Sequence, residues 1–328
     1  MPRDTRSQSM PDENKSLFTP DAASGDAPGE HGGQAATPPK PAVLRAIALT
    51  FTALADARER CRLSLAESAS GLELAFDPGW FEQGEPVLAT AGPEFFLDDF
   101  QRAAACLLPE MLTLFPAVSG ELDRLDRAMR RDRETALACL TALQTPDDQA
   151  RPLWDVLAER LGLPAEVAAF GTREVLKVCL SRLEPLLAAQ LPEASWFRGY
   201  CPICGSCPDL GYLAPKAPEP NDFLISKSGE MHLHCAACGH AWRNERIKCP
   251  VCETSDHEKF FSLREGDKDE ERVYICLECG SYFPCIDLTE GRGDVRFDTA
   301  VLDLLHLEYV ARSRGFTPAA SQPWNVFA

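Results

Sequence analysis

Four Cys-x-x-Cys pairs crowd the C-terminal half of the chain: Cys201/Cys204, Cys235/Cys238, Cys249/Cys252 and Cys276/Cys279. A tetrahedral four-thiolate site needs two short turns, each presenting two sulfurs about 3.5–4 Å apart, and this spacing supplies such a turn. One pair is a weak signal. Four in one region are enough for two complete sites. The region therefore reads as two tandem metal ribbons, rubredoxin-like or zinc-ribbon in type. Such ribbons have little core of their own and are held by their ions.

Thirty residues separate Cys204 from Cys235 and twenty-three separate Cys252 from Cys276, whereas ten lie between Cys238 and Cys249. Each half reads knuckle, spacer, knuckle, an internal repeat. Sequential pairing is the expectation: Cys201/Cys204 with Cys235/Cys238, and Cys249/Cys252 with Cys276/Cys279. A cross-braced arrangement, Cys201/Cys204 with Cys249/Cys252 and Cys235/Cys238 with Cys276/Cys279, stays open. Gly205, Gly239 and Gly280 each follow a second cysteine, where the knuckle needs positive φ. Glu253 holds that place after Cys252 and breaks the rule. Pro202 and Pro250 stiffen their turns. Arg243, Arg246 and Lys248, between the middle pairs, are placed to offset the charge of about −2 on a filled four-thiolate site.

Four thiolates suit zinc and rubredoxin-like iron about equally, although intrinsic affinity favours zinc over ferrous iron. Closed four-ligand sites are usually structural. Cys61, Cys106, Cys139 and Cys179 fall at apolar helical positions and read as core packing. Cys207 extends the first pair to Cys-x-x-Cys-x-x-Cys and reads as a spare thiol; Cys285 reads as packing in a strand. His232, His234 and His240 flank the second knuckle as strand-surface or outer-sphere groups. His31, His257 and His306 show no evident partner. No Ser-His-Asp order, P-loop or dinucleotide fingerprint occurs, so the chain reads as no enzyme.

The 328 residues carry a formal net charge of −17, from 33 basic and 50 acidic side chains. Such a surface repels phosphate backbones and argues against nucleic acid as a partner. Residues 1–41 lack an apolar signal core, and the apolar stretch from Ala42 to Ala55 is interrupted by Arg45. A cytoplasmic protein without stable membrane insertion is expected. In that reducing compartment the cysteine pairs read as metal ligands rather than disulfides.

The coarse pattern is α+β. Residues 1–41, polar and poor in aliphatics, read as a disordered tail. Residues 42–195 read as an all-α domain, with helices over 42–68, 94–115, 120–144, 152–162 and 165–190 and a turn at Asp77-Pro78-Gly79. Residues 196–245 form the first ribbon. Residues 246–328 form the second ribbon plus a C-terminal helix over 299–312. Strands are expected at 231–235 and 241–248, and a hairpin from 260–264 and 272–276.

Some of these residues resemble a known family. Cys-Pro-Ile-Cys-Gly-Ser at 201–206 is followed by Leu-His-Cys-Ala-Ala-Cys-Gly-His-Ala-Trp at 233–242. Arg246, Cys-Pro-Val-Cys at 249–252, Tyr-Ile-Cys-Leu-Glu-Cys-Gly-Ser-Tyr at 274–282 and Ile286-Asp287 complete the set. The run is similar to the formate dehydrogenase accessory proteins of the FdhE type, specifically over 201–315 and only architecturally over 42–190. The tail, Cys207 and Cys285 depart from the family pattern. The resemblance implies a non-catalytic cytoplasmic maturation factor that binds the catalytic subunit of formate dehydrogenase before its twin-arginine export. It also implies two rubredoxin-like iron ions, with zinc as the alternative, on the eight paired cysteines. Two rivals stand beside it: a rubredoxin-like electron carrier and a zinc-ribbon nucleic-acid adaptor. Self-association stays open.

Overall fold

The computed structural model describes residues 42–66, 78–191, 196–215, 229–265, 270–291 and 294–326. The tail expected over 1–41 lies outside them.

The first part is helical: α1 (Ala42–Ala66), α2 (Pro78–Glu82), α3 (Pro93–Leu114), α4 (Ser119–Arg131), α5 (Arg133–Gln144), α6 (Asp147–Leu161) and α7 (Ala165–Ala188). Its centre is α3, whose Phe100, Ala103, Ala104, Leu107, Leu108 and Met111 are fully buried. The spacing of these residues gives one wide apolar face, the pattern that drives a helix into a core. Small residues set the closest approach. A Cβ on Gly171 of α7 would lie 2.6 Å from Leu125 Cδ2 of α4. Among the described residues no single helix is long and apolar enough to cross a membrane.

Two helical expectations are corrected. The single helix expected over 120–144 is two, because Asp132 adopts extended φ/ψ and caps α5, accepting from Glu134 N at 3.0 Å and from Thr135 Oγ1. An Asp offered to two such donors is worth more as a cap than inside a helix. Of the turn expected at Asp77-Pro78-Gly79, Asp77 lies outside the described residues, and Pro78 and Gly79 belong to α2, which opens at Pro78, the first helical position that proline suits.

Beyond α7, seven strands among the described residues form one sheet. They are β1 (Pro208–Ala214), β2 (Glu230–Cys235), β3 (Ala241–Arg243), β4 (Phe260–Arg264), β5 (Glu271–Cys276), β6 (Ser281–Asp287) and β7 (Thr317–Pro318). The order is β3-β2-β1-β6-β5-β4, with β7 on β6. Each ribbon is an antiparallel three-strand meander. Their first and last strands, β1 and β6, join in parallel through Gly211↔Cys285, Tyr212↔Ile286 and Leu213↔Asp287. The strand expected over 241–248 ends at Arg243, and the hairpin from β4 and β5 is present as expected. Gly211 has a local reason: a Cβ there would lie 2.9 Å from Phe283 Cε2, so the glycine lets that ring cross the seam.

The C-terminal stretch holds sheet and helices together. The helix expected over 299–312 is broken into α8 (Phe297–Ala300), a 3-10 turn at Val301–Leu304, and α9 (Leu305–Ser313). Arg296 reaches Asp56 of α1 at 2.6 Å, and Trp324 meets Phe51 of α1 edge-on with ring centroids 5.0 Å apart. A buried polar chain runs through this junction. Arg58 and Lys177 bind Glu174 at 2.5 and 3.0 Å. Lys177 Nζ donates to Gln322 Oε1 at 3.1 Å, and Gln322 Nε2 reaches Asp209 of β1 at 3.4 Å. Burial opposes charge on Glu174, yet Lys177 and Arg58 outweigh it and hold the carboxyl below its ordinary range. Each buried charge is thus paired, the condition under which burial is tolerated.

Candidate metal centres

The same turn is built four times. Gly205 N donates to Cys201 O, Gly239 N to Cys235 O, Glu253 N to Cys249 O and Gly280 N to Cys276 O, at 2.9 to 3.2 Å. Cys201 N, Cys235 N and Cys249 N each donate to the carbonyl five residues on, closing the knuckle from the other side. The residue after the second cysteine is left-handed in every case, with φ of 76°, 79° and 70° at the glycines and 58° at Glu253. Glu253 therefore departs from the pattern in chemistry but not in conformation. Backbone N–H groups face the sulfurs: Ala237 N and Cys238 N lie 3.4 Å from Cys235 Sγ, and Val251 N lies 3.4 Å from Cys249 Sγ.

The knuckles converge in sequential pairs. Cys201, Cys204, Cys235 and Cys238 form one group and Cys249, Cys252, Cys276 and Cys279 the other, with ligand atoms within 4.8 Å of one another in each. Sulfur–sulfur distances are 3.5 Å for Cys201–Cys238 and 3.4 Å for Cys204–Cys235. They are 3.7 Å for both Cys249–Cys279 and Cys252–Cys276. A tetrahedron with metal–sulfur bonds of about 2.3 Å has edges of about 3.8 Å. The donor sets thus fit a four-thiolate ion of zinc or iron size, and each group can bind a metal ion. The cross-braced alternative brings together none of these pairs.

Crowded sulfurs polarise one another. Hydrogen bonds from Cys201 first, then Cys235 and Cys238, hold Cys204 well below the usual thiol range. Hydrogen bonds from Cys249 and Cys276 do the same for Cys279. The proton-holding partners move the other way: Cys235 is pushed up by burial and then by its neighbours, and Cys249 by its hydrogen bonds to Cys276 and Cys279. A bound cation would favour the thiolate form of all four sulfurs in each group.

The surrounding groups are partly those expected. At the β1–β2 bulge between Pro208 and Leu210, the extra residue Asp209 turns its carboxylate onto His234 Nδ1 at 2.8 Å, one residue before Cys235. His240 Nδ1 meets Glu184 of α7 at 2.8 Å, and His232 stacks on Tyr212. His306, expected without a partner, has Nδ1 3.1 Å from Asp303 O and Nε2 3.4 Å from Glu265. Arg243 pairs with Glu230 at 3.3 Å, Lys248 donates to Phe197 O at 2.6 Å, and Arg246 is exposed on the turn after β3. Cys207 lies outside both groups, and Cys285 is fully buried beside Leu213 and Met231. Cys139 and Cys179 are buried in the helical core, as expected.

Cys61 and Cys106 differ from the separate packing residues that their helical positions predict. The structure joins them in a disulfide between α1 and α3, with Cα atoms 5.8 Å apart and a sequence separation of 45. Their apolar helical spacing announces burial. It does not show that the two faces meet.

No family profile matches the chain. It is similar to "Protein FdhE homolog" of Pectobacterium atrosepticum, 30% identical over 129 residues, covering 39% of this chain and 38% of that protein. The protein of the same name from Aquifex aeolicus is 26% identical over 142 residues, covering 42% and 47%. "Protein FdhE" of Salmonella dublin is 28% identical over 228 residues, covering 66% and 64%. The matched stretches thus span less than two thirds of these relatives' own lengths. Among solved structures, the FdhE protein from Pseudomonas aeruginosa shares the fold, with a TM-score of 0.52, 20% identity, and coverage of 85% of this chain and 95% of that one.

Proposed function

We propose that this chain, a member of the FdhE-type family of formate dehydrogenase accessory proteins, is a cytoplasmic maturation factor that binds the catalytic subunit of formate dehydrogenase before its export. Family membership is supported by the curated relatives named FdhE and by the shared fold. The observation that carries the reading further is the pair of complete four-thiolate groups on a sheet welded to a helical body. Closed four-ligand sites leave no open coordination position for a substrate, which favours a non-catalytic role. Rubredoxin-like iron is the proposed occupant of Cys201, Cys204, Cys235, Cys238, Cys249, Cys252, Cys276 and Cys279, with zinc as the alternative. The experiment is anaerobic affinity purification from the native host, scored for the formate dehydrogenase catalytic subunit and for bound metal. Co-purification of that subunit, and loss of formate dehydrogenase activity in a deletion strain with transcription intact, are expected. Unchanged activity in that strain, with no second copy of the gene, overturns the reading.

A second reading, a rubredoxin-like electron carrier, is favoured by one observation. Cys252 and Cys279 of the second group are exposed, so an iron there would lie close to solvent. A reversible one-electron potential together with an unaffected deletion strain favours this reading over the first.

A further inference from the structure

The two groups share one turn design but differ in enclosure. In the first, Cys201, Cys235 and Cys238 are 0%, 1% and 2% exposed and Cys204 is half-buried. In the second, Cys249 and Cys276 are buried, whereas Cys252 and Cys279 are exposed. The cover explains the difference. The Cys201–Cys204 turn is gripped by the loop after α2: Val87 N and Leu88 N donate to Pro202 O and Ile203 O at 2.9 and 2.8 Å, and Ile203 is fully buried. Pro86 stands 3.1 Å from where a Cβ of Gly205 would be. The Cys235–Cys238 turn is held by His240 on Glu184 of α7 and by Ala236 N on Cys207 O. In the second group Gly199 backs the Cys249–Cys252 turn at Pro250, but the other side is open: Val251 stands out between the paired cysteines at 44% exposure, and nothing lies within 4 Å of a Cβ built on Gly280.

We propose that the second group is the exchangeable metal centre, taking up and releasing a soft divalent ion through its Cys252 and Cys279 edge, while the first holds its ion as a fixed part of the fold. This rests on the reading that both groups hold metal. Release would begin at Cys252 or Cys279, the exposed sulfurs, where an incoming thiolate or chelator nitrogen could replace one thiolate, which would leave with its electron pair. The other three thiolates would follow in the same way, and the freed sulfurs would take up protons from water. At the first group the same attack must wait for the loop after α2 or the α7 contact to open, a local unfolding step that lowers the rate.

The test loads the full chain anaerobically with zinc, measures zinc per chain, and follows release to an excess of chromogenic zinc chelator. Two phases of one equivalent each are expected, differing by about tenfold or more. Cys252→Ser should abolish the fast phase and leave the slow one. Because a variant can fail to fold, the native protein is also alkylated with iodoacetamide and mapped by mass spectrometry. Cys252 and Cys279 should be labelled before Cys201, Cys235 and Cys238. A single phase for both equivalents, or earlier labelling in the first group, overturns the proposal while leaving two-metal binding intact. Fewer than two zinc ions per chain overturns both, so the stoichiometry tells the failures apart.

Discussion

Gly199 and Pro250 meet backbone to backbone: a Cβ on Gly199 would lie 2.0 Å from the carbonyl oxygen of Pro250. The stretch leading into the first knuckle is thus pressed against the third knuckle. The neighbouring bonds agree, since Gly199 N donates to Glu253 Oε1 at 3.3 Å and Trp242 Nε1 donates to Arg198 O at 3.1 Å. Gly199→Ala must move backbone rather than a flexible side-chain tip, so a loss of about 2–3 kcal/mol is expected. Chemical denaturation checks it; a loss under about 0.5 kcal/mol, the usual range for surface changes, rules out this contact.

Glu253 combines a left-handed backbone with this bond. Glu253→Ala keeps the strain and removes the bond, and should cost about 1 kcal/mol. Glu253→Gly removes both, and relief of the strain, about 1 kcal/mol, should offset most of the loss. A glycine variant less stable than the alanine variant contradicts the left-handed assignment.

Glu308 predicts a pH dependence. Burial pushes its carboxyl up to about 7, with the Asp209 charge acting the same way, against donation from Asn325 and Tyr282. Between the unfolded value of 4.5 and about 7, the folded chain keeps a proton that the unfolded chain releases. The resulting stabilisation is full below the lower value and is lost as pH rises through the higher one, up to roughly 3 kcal/mol. Glu308→Gln should flatten this fall. Parallel stability–pH curves for the two proteins count against it.

Metal content should follow the paired cysteines. Serine at any of the eight should weaken one centre and lower thermal stability. Serine at Cys139 or Cys179, both buried away from the groups, should leave two ions per chain. Metal analysis of anaerobically purified variants decides this; one ion per native chain refutes it.

The Cys61–Cys106 bridge should matter only under oxidising conditions. With a sequence separation of 45 between the two cysteines, reduction or Cys106→Ser should cost about 2–4 kcal/mol. Non-reducing peptide mapping tests the bridge directly, and free thiols at both positions after oxidation exclude it.

The legible parts of this chain are local ones. Cysteine spacing fixes the turns, and glycine after three knuckles marks the left-handed position. Apolar periodicity marks α1, α3 and α7. Contacts between distant segments were hidden, because one-dimensional patterns record which side of an element is buried and not what covers it. That is why Cys61 and Cys106 read as two packing residues. It is also why α2 passed for a turn, although Phe81 packs on Trp196 and the loop beyond covers the first knuckle. Asp132 carried a usable signal: an Asp followed by Glu134 and Thr135 is a helix start inside a helical stretch.

The parallel β1–β6 seam has a consequence for how the chain is made. During synthesis β1 leaves the ribosome long before β6, and until β6 arrives one side of a mostly buried strand has no neighbour. An unpaired apolar edge invites pairing with other chains. Nascent chains stopped short of Ser281 should therefore be the aggregation-prone species. Early metal capture by Cys201, Cys204, Cys235 and Cys238 would shorten that exposed interval, because it stiffens the β1–β2 hairpin before its last partner is translated.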